Sequence, residues 1–175
     1  MTRLRQWADR EYSRRQRLVF LVVQALAAVV VVPGLLAVTG PWLDAALGLP
    51  PFDVTPASEM LAGVLMGAGL AVAIWAVQVT FEVGHGTPAP MMPPKRLVVQ
   101  GPYNHCRNPM VLGTALFYLG VGIWLGSAGG LLLVVVLDVG LVAYAKAVEE
   151  KELAARFGED YREYRQRTPF LLPRP

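Results

Sequence analysis

Four apolar stretches organise this chain. Leu18 to Val38 and Met60 to Phe81 contain no charged residue and pass the roughly 18 to 20 residues that carry an α-helix across a bilayer, so both are expected to be transmembrane helices. Met110 to Leu125 and Leu131 to Val148 are shorter and are split only by Gly126-Ser127-Ala128-Gly129-Gly130. They read as a helical hairpin that crosses the membrane twice, with a re-entrant hairpin as the alternative. Beyond Val148, Glu149, Glu150, Leu153, Phe157, Tyr161 and Tyr164 keep helical spacing while charges fill the other positions, which predicts that the last span leaves the membrane as an amphipathic helix. Gly158 is placed to interrupt that helix, and Pro169 and Pro173 to end it. The expected fold class is all-α: a polytopic membrane helical bundle of about four transmembrane helices with a C-terminal cytoplasmic helix, a single integral-membrane domain over residues 1–175.

Small residues recur every four positions at Gly63, Gly67 and Ala71, and a comparable set lies at Gly140, Ala143 and Ala147. In lipid, where burial alone cannot drive association, such faces let helices approach closely. They are expected to be the contact faces of a tight four-helix bundle. Phe157, Tyr161 and Tyr164 are expected in the core rather than against a ligand.

The charge pattern orients the bundle. Of sixteen Lys and Arg, six precede Leu18, three lie between Phe81 and Met110, and seven lie from Lys146 onward. The two opposite loops have none, and residues 39–59 carry Asp44, Asp53 and Glu59 instead. The positive-inside rule then puts both termini and the loop after Phe81 in the cytoplasm of an inner-membrane, multi-pass protein. Segment 1–17, with Trp7 and Tyr12 among its arginines, is fitted to the headgroup level. A net charge of +3 gathered on one membrane face calls for anionic headgroups as partner and not for nucleic acid. The lone cysteine, Cys106, excludes an internal disulfide and any multi-cysteine metal site, and no metal is expected. The first apolar stretch exceeds a signal-peptide core and no small-residue cleavage site follows it; Leu172 to Pro175 bears no prenylation signal.

The loop between the second and third stretches, Gly84 to Gly113, holds six of the fourteen prolines and both histidines, and loops of this length inside a compact fold are functional or disordered. Its second half is too apolar for disorder. Gly101-Pro102-Tyr103 and Arg107-Asn108-Pro109 set a turn, a cation, an amide and a bend just before the third span. Pro109 suits the first turn of that helix, leaving Asn108 as its N-cap; on that reading alone Arg107 snorkels to phosphate.

Acids change this picture. Glu149 and Glu150 stand near an anionic membrane boundary beside Lys146 and Lys151, and Asp138 lies about halfway along a span, where a carboxylate normally faces a bundle interior or a cavity. At about 100° per residue, Asp138, Ala145 and Glu149 fall within about 20° of one line. One helix face would then run from a buried acid to an interfacial acid, beside a polar cleft open to the cytoplasm.

The order G-P-Y-x-x-x-R-N-P-M-x-x-G over Gly101 to Gly113, a helical hairpin, and E-E-x-x-L-x-x-x-F-G-x-x-Y-x-x-Y over Glu149 to Tyr164 resembles the isoprenylcysteine carboxyl methyltransferase family, which is related to the phospholipid N-methyltransferases. Gly84 to Pro90 (GHGTPAP) resembles a bacterial branch of it. The likeness covers roughly residues 81–175, so residues 18–81 are expected to supply two transmembrane helices and residues 82–175 the cofactor-binding catalytic part. It implies an integral-membrane enzyme that uses S-adenosylmethionine. The cofactor-binding residues it implies are Lys95, Arg96, Leu97, Val98, Tyr103, Asn108, Pro109, Met110 and Val111, with Glu149 at the cofactor's charged end; His105, in the same turn, is added as a cofactor-binding candidate. Glu149, Glu150 and Arg107 are the candidate catalytic residues. The prenylcysteine enzymes carry an Arg one helical turn before the acid; here that position is Ala145, with Lys146 beside it.

Methyl transfer from a sulfonium is an in-line displacement, so such a protein mainly aligns donor and acceptor and excludes water. A carboxylate acceptor needs no base, whereas an amine or phenol would call on Glu150 or His105. The leading expectation is a lipid-soluble acceptor reaching the site from the bilayer, an isoprenylcysteine-like carboxylate or another hydrophobic molecule. The alternatives are a phospholipid amine N-methyltransferase and a non-catalytic membrane protein on the same scaffold.

Overall fold

The computed structural model describes residues 12–50, 52–87 and 92–172. Most of the basic segment 1–17 and part of the proline-rich loop lie outside the described residues. Helix α1 (Arg14–Leu47) opens with a reciprocal cap, in which Ser13 Oγ accepts from the Gln16 N–H and Gln16 Oε1 accepts from the Ser13 N–H. It ends at Gly48, whose left-handed φ of 65° favours glycine. Helix α2 (Pro56–Glu82) begins the same way, with Thr55 and Ser58 exchanging bonds, Pro56 in the first turn, and Glu59 against the positive helix end. Helix α3 (Pro109–Trp124) and helix α4 (Ala128–Tyr144) form the hairpin, and α4 continues through a π-helical turn, Ala145–Glu149, into helix α5 (Glu150–Arg167). Gly158 breaks α5 with φ 56° and ψ −122°.

Three helices, Arg14–Leu47, Pro56–Glu82 and the continuous Ala128–Arg167, are long and apolar enough to cross a membrane. At 16 residues, α3 spans about 24 Å, short of a hydrocarbon core of about 30 Å. The architecture is a polytopic helical bundle. Leu36, Val121 and Val134 form its buried centre, where α1, α3 and α4 meet. At one end the Asp44 carboxylate of α1 accepts from the Gly129 N–H of α4 at 2.6 Å, a charge-assisted bond to an orphan donor at a helix start.

Helix α1 is not a plain rod. Pro33 follows a π turn at Ala27–Val31, within which the Val32 N–H reaches back to the Ala27 carbonyl. The Ala28 carbonyl would next need a donor from residue 33, and proline has none. Tyr118 of α3 supplies it, donating its hydroxyl to the Ala28 oxygen at 3.0 Å. One side chain thus satisfies a carbonyl that the bilayer could not.

The small-residue stripes fall elsewhere than expected. Gly63, Gly67 and Gly140 have open space where a side chain would stand, and Ala71, Ala143 and Ala147 are exposed. The close approach is between α2 and α3: a Cβ on Gly69 would lie 2.5 Å from the Gly113 oxygen, and one on Gly120 2.7 Å from the Ala62 oxygen. Ala62, Gly69 and Ala76 repeat every seven residues and are buried. A seven-residue seam fits two helices wrapped around each other, whereas the four-residue stripe is turned outward.

Gly113→Leu is expected to destabilise the detergent-solubilised protein by about 1–3 kcal/mol through overpacking, seen as a fall of roughly 2–12 °C in the melting midpoint. Gly63→Leu should leave the midpoint unchanged. Equal effects would place the contact face elsewhere.

Candidate active site

The chain leaving α2 is folded back on itself by backbone bonds. Thr87 N–H donates to the Met92 oxygen and Lys95 N–H to the Gly84 oxygen, both at 2.7 Å. Gly84 and Gly86 are required here, because a Cβ on either would strike Pro94 at under 3 Å. A 3-10 turn, Gly101–Asn104, follows. Gly101 has φ 60°, and its α-carbon sits against Trp75 and Val79 of α2.

Side chains pin this loop on two sides. Tyr103 Oη and Thr80 Oγ1 of α2 share a hydrogen bond at 2.9 Å, while Tyr164 of α5 donates its hydroxyl to the Tyr103 carbonyl at 2.6 Å. Arg156 of α5 donates to the Pro94 carbonyl at 2.6 Å. Burial pushes the Tyr103 phenol up to about 12, so it stays a neutral hydrogen-bonding group. Burial also raises the Cys106 thiol, which keeps it from being a reactive thiolate.

Arg107 joins the loop to the two acids. Its Nη2 lies 3.0 Å from Glu150 Oε1, and the two side chains are only 10% and 14% exposed. The N–H is not aimed along that contact, so it is electrostatic more than a well-aligned hydrogen bond, and Arg107 Nε and Nη1 are buried without a partner. The chain beyond α5 returns to the same place. The Arg107 and Asn108 N–H groups donate to the Pro169 and Phe170 carbonyls at 2.9 and 3.2 Å. Asn108 occupies the N-cap position of α3, yet its side chain makes no cap bond and donates to the Phe170 oxygen instead. The expected cap is replaced by a tie between residues 62 positions apart.

The π turn sets the orientation of the acids. Its Glu150 N–H reaches the Ala145 carbonyl, and the wider turn shifts the phase of everything after it. Asp138 and Glu149 therefore do not share the single line expected of an unbroken α-helix. Asp138 stands by Tyr118 with Oδ2 buried and unpartnered, and only Glu149 reaches the cavity wall.

That cavity has a volume of about 810 Å³. Its polar end is formed by Tyr103, Arg107, Asn108, Glu149, Glu152 and Arg156, and its apolar end by α1 (Leu18, Leu21, Val22), α2 (Ile74, Val77) and Phe117 of α3. Leu18, Val22 and Ile74 are also exposed at the protein surface. Glu149 has no hydrogen-bond or ion-pair partner among the described residues, and Glu152 Oε1 is buried without one. Two acids for an ammonium or sulfonium, two guanidinium nitrogens for a carboxylate, and an apolar wall of Leu97, Val98 and Pro109 for an adenine fit S-adenosylmethionine. Among the described residues no three His, Cys, Asp or Glu come together as a metal site.

Of the residues singled out in the sequence, Arg96, Leu97, Val98, Tyr103, Arg107, Asn108, Pro109, Met110, Val111 and Glu149 line the cavity. Glu150 stands behind it, paired to Arg107. Lys95 and His105 are not in the wall. Lys95 is exposed and joins the fold through its backbone bond to Gly84, and His105 is exposed with its ring tilted against Trp75 at 6.3 Å. Tyr161 is buried in the core as expected, while Phe157 and Tyr164 also reach the cavity. Sequence reasoning missed Thr80, Glu152, Arg156 and Phe170. Glu152 and Arg156 follow Glu149 at three and seven residues, one helix face, and that spacing was the available signal.

The sequence profile of the phospholipid methyltransferase family matches residues 57–160, which include α2, the loop, the hairpin and most of α5. The chain belongs to that family. It is also similar to methanethiol S-methyltransferase 2 of Bradyrhizobium diazoefficiens, at 35% identity over 74 residues, 41% of this chain and 27% of that protein. The chain thus matches only about a quarter of this relative's length. Membership agrees with the likeness to the isoprenylcysteine methyltransferases, and methyltransferases of such families generally use S-adenosylmethionine.

Glu150→Gln would leave Arg107 buried without a counter-charge, a change that costs about 3–5 kcal/mol in buried pairs. At 10–14% exposure the lower end is expected, read as a lowered melting midpoint that Arg107→Met in the same chain partly restores. A midpoint unaffected by Glu150→Gln would mean the pair is solvated.

Proposed function

We propose that this protein transfers the methyl group of S-adenosylmethionine to a hydrophobic acceptor that enters from the bilayer between α1 and α2. The observation that carries the reading is one cavity whose wall holds unpaired charged groups together with apolar side chains of α1 and α2 that are exposed at the protein surface. The bound cofactor supplies a methyl group already activated on a sulfonium. The chain's own part is positioning. Glu149 and Glu152 take the cationic groups, the Arg107 guanidinium takes the α-carboxylate, and Leu97, Val98 and Pro109 enclose the adenine. Pinning of the loop by Tyr103, Tyr164 and Arg156 keeps water from the polar end, which strengthens each of these charge contacts. A carboxylate acceptor, as on an isoprenylcysteine-like molecule, would be methylated without a base. A phospholipid amine would surrender a proton, for which Glu152, an unpartnered acid in the wall, is a candidate.

A second reading is favoured by the similar protein named for methanethiol: a thiol acceptor, whose thiolate is a good nucleophile without protein assistance. The apolar wall formed by α1 favours a longer, lipid-soluble molecule. Incubating membranes that contain the protein with methyl-labelled cofactor separates the cases. Label in the organic lipid extract supports the first reading, and label only in a volatile thioether supports the second.

Glu149→Gln keeps the shape and removes the charge. S-adenosylhomocysteine binding to the purified protein, measured by calorimetry, is expected to weaken at least about tenfold with an unchanged melting midpoint. Undiminished affinity would remove Glu149 from the cofactor site.

A further inference from the structure

The three residues that follow α5 return to the candidate site, although the family match ends before them at residue 160. The Pro169 and Phe170 carbonyls accept from the Arg107 and Asn108 backbones, and the Phe170 carbonyl also accepts from the Asn108 side chain. The Phe170 ring carries two cations: Lys146 Nζ lies 4.8 Å and the Arg107 guanidinium carbon 5.8 Å from its centroid. Thr168 is buried and returns its N–H to the Tyr164 carbonyl at 3.0 Å, which fixes the point from which the segment departs.

We infer that residues 168–170 form a strap that positions Arg107, with the Phe170 ring as the positioning group. Arg107 has four rotatable bonds, and its contact with Glu150 engages one terminal nitrogen in an unaligned geometry. That contact alone does not fix the plane of the guanidinium. The backbone bonds hold the arginine's root, and the aromatic face steadies its head, a contact worth about 0.5–2 kcal/mol for a partly desolvated cation. With root and head held, the guanidinium plane keeps one orientation toward a planar carboxylate. Lys146, exposed on the other contact of the ring, ties the strap to the π turn that orients Glu149. The strap therefore couples the cation and the acid of the site through a single aromatic side chain. The inference rests on the proposed role of Arg107 in carboxylate binding.

The test is a double-mutant cycle on the full-length protein in detergent, reading S-adenosylhomocysteine affinity and the ligand-free melting midpoint. Phe170→Leu keeps apolar volume and removes the aromatic face. It is expected to weaken binding about tenfold with the midpoint nearly unchanged, and Phe170→Trp to restore affinity to within about threefold of the original. In the Arg107→Ala background Phe170→Leu should have no further effect. Normal affinity in Phe170→Leu beside weak binding in Arg107→Ala would overturn the strap and leave the proposed site standing. Normal affinity in Arg107→Ala would overturn both. Losses that add in full would mean that the ring acts by packing elsewhere, and would also overturn the strap. If Phe170→Leu does not yield folded protein, Lys146→Met loosens the ring from its outer contact: a loss of about threefold that disappears beside Arg107→Ala supports the strap, and unchanged affinity overturns it.

Discussion

A guanidinium and a carboxylate removed from water together, Arg107 and Glu150 at 3.0 Å, hold the candidate site closed. Either charge left alone at such low exposure would be costly, since a buried ion needs its counter-ion nearby. The segment that carries Arg107 has only one 3-10 turn of regular structure, so its place against α5 depends on side-chain and backbone ties such as this one. The ion pair decides which face of the loop meets the helix. Tyr103, Tyr164 and Arg156 then fix it with hydrogen bonds of 2.6–2.9 Å. Glu150 takes only one nitrogen of Arg107, and the other two are left buried without a partner.

Two π turns adapt straight helices to this purpose. The one at Ala145–Glu149 turns consecutive acids to different tasks, Glu149 into the cavity and Glu150 onto Arg107. The one at Ala27–Val31, beside Pro33, bends α1 where Tyr118 can satisfy the Ala28 carbonyl. The part of α1 before this turn contributes Leu18, Leu21 and Val22 to the cavity wall, while the part after it contributes Leu36 to the buried core and Asp44 to the bond with α4. One helix thus anchors the bundle with its second half and walls an opening with its first.

The apolar lengths were enough to read the helices and their order, because a span in lipid must satisfy its backbone internally and leaves a long uncharged run. The motif residues from Leu97 to Val111 and Glu149 stood out because turns, prolines and charges beside a membrane are conspicuous. Contacts across space were not legible. Phe170 meets Arg107 and Asn108 over some sixty residues, with no periodicity to announce it, and Asn108 gives up its cap for that tie. Gly63 and Gly67 satisfied a four-residue pattern, yet the helix pair uses Ala62, Gly69 and Ala76, since glycine spacing on one helix does not say which side its neighbour takes. His105 and Lys95 shared the loop with cavity residues but point outward, the loop's fold being set by Gly84, Gly86 and Gly101.

The ion pair itself is open to the most direct measurement. Arg107→Glu and Glu150→Arg, made singly and together, can be compared for S-adenosylhomocysteine affinity and melting midpoint. If the pair closes the loop over α5, each single variant places like charges in contact and lowers the midpoint, and the exchanged pair recovers most of that stability while binding stays weak, because the cation now stands on the helix. Single effects that simply add in the double variant would contradict the contact on which the account is built.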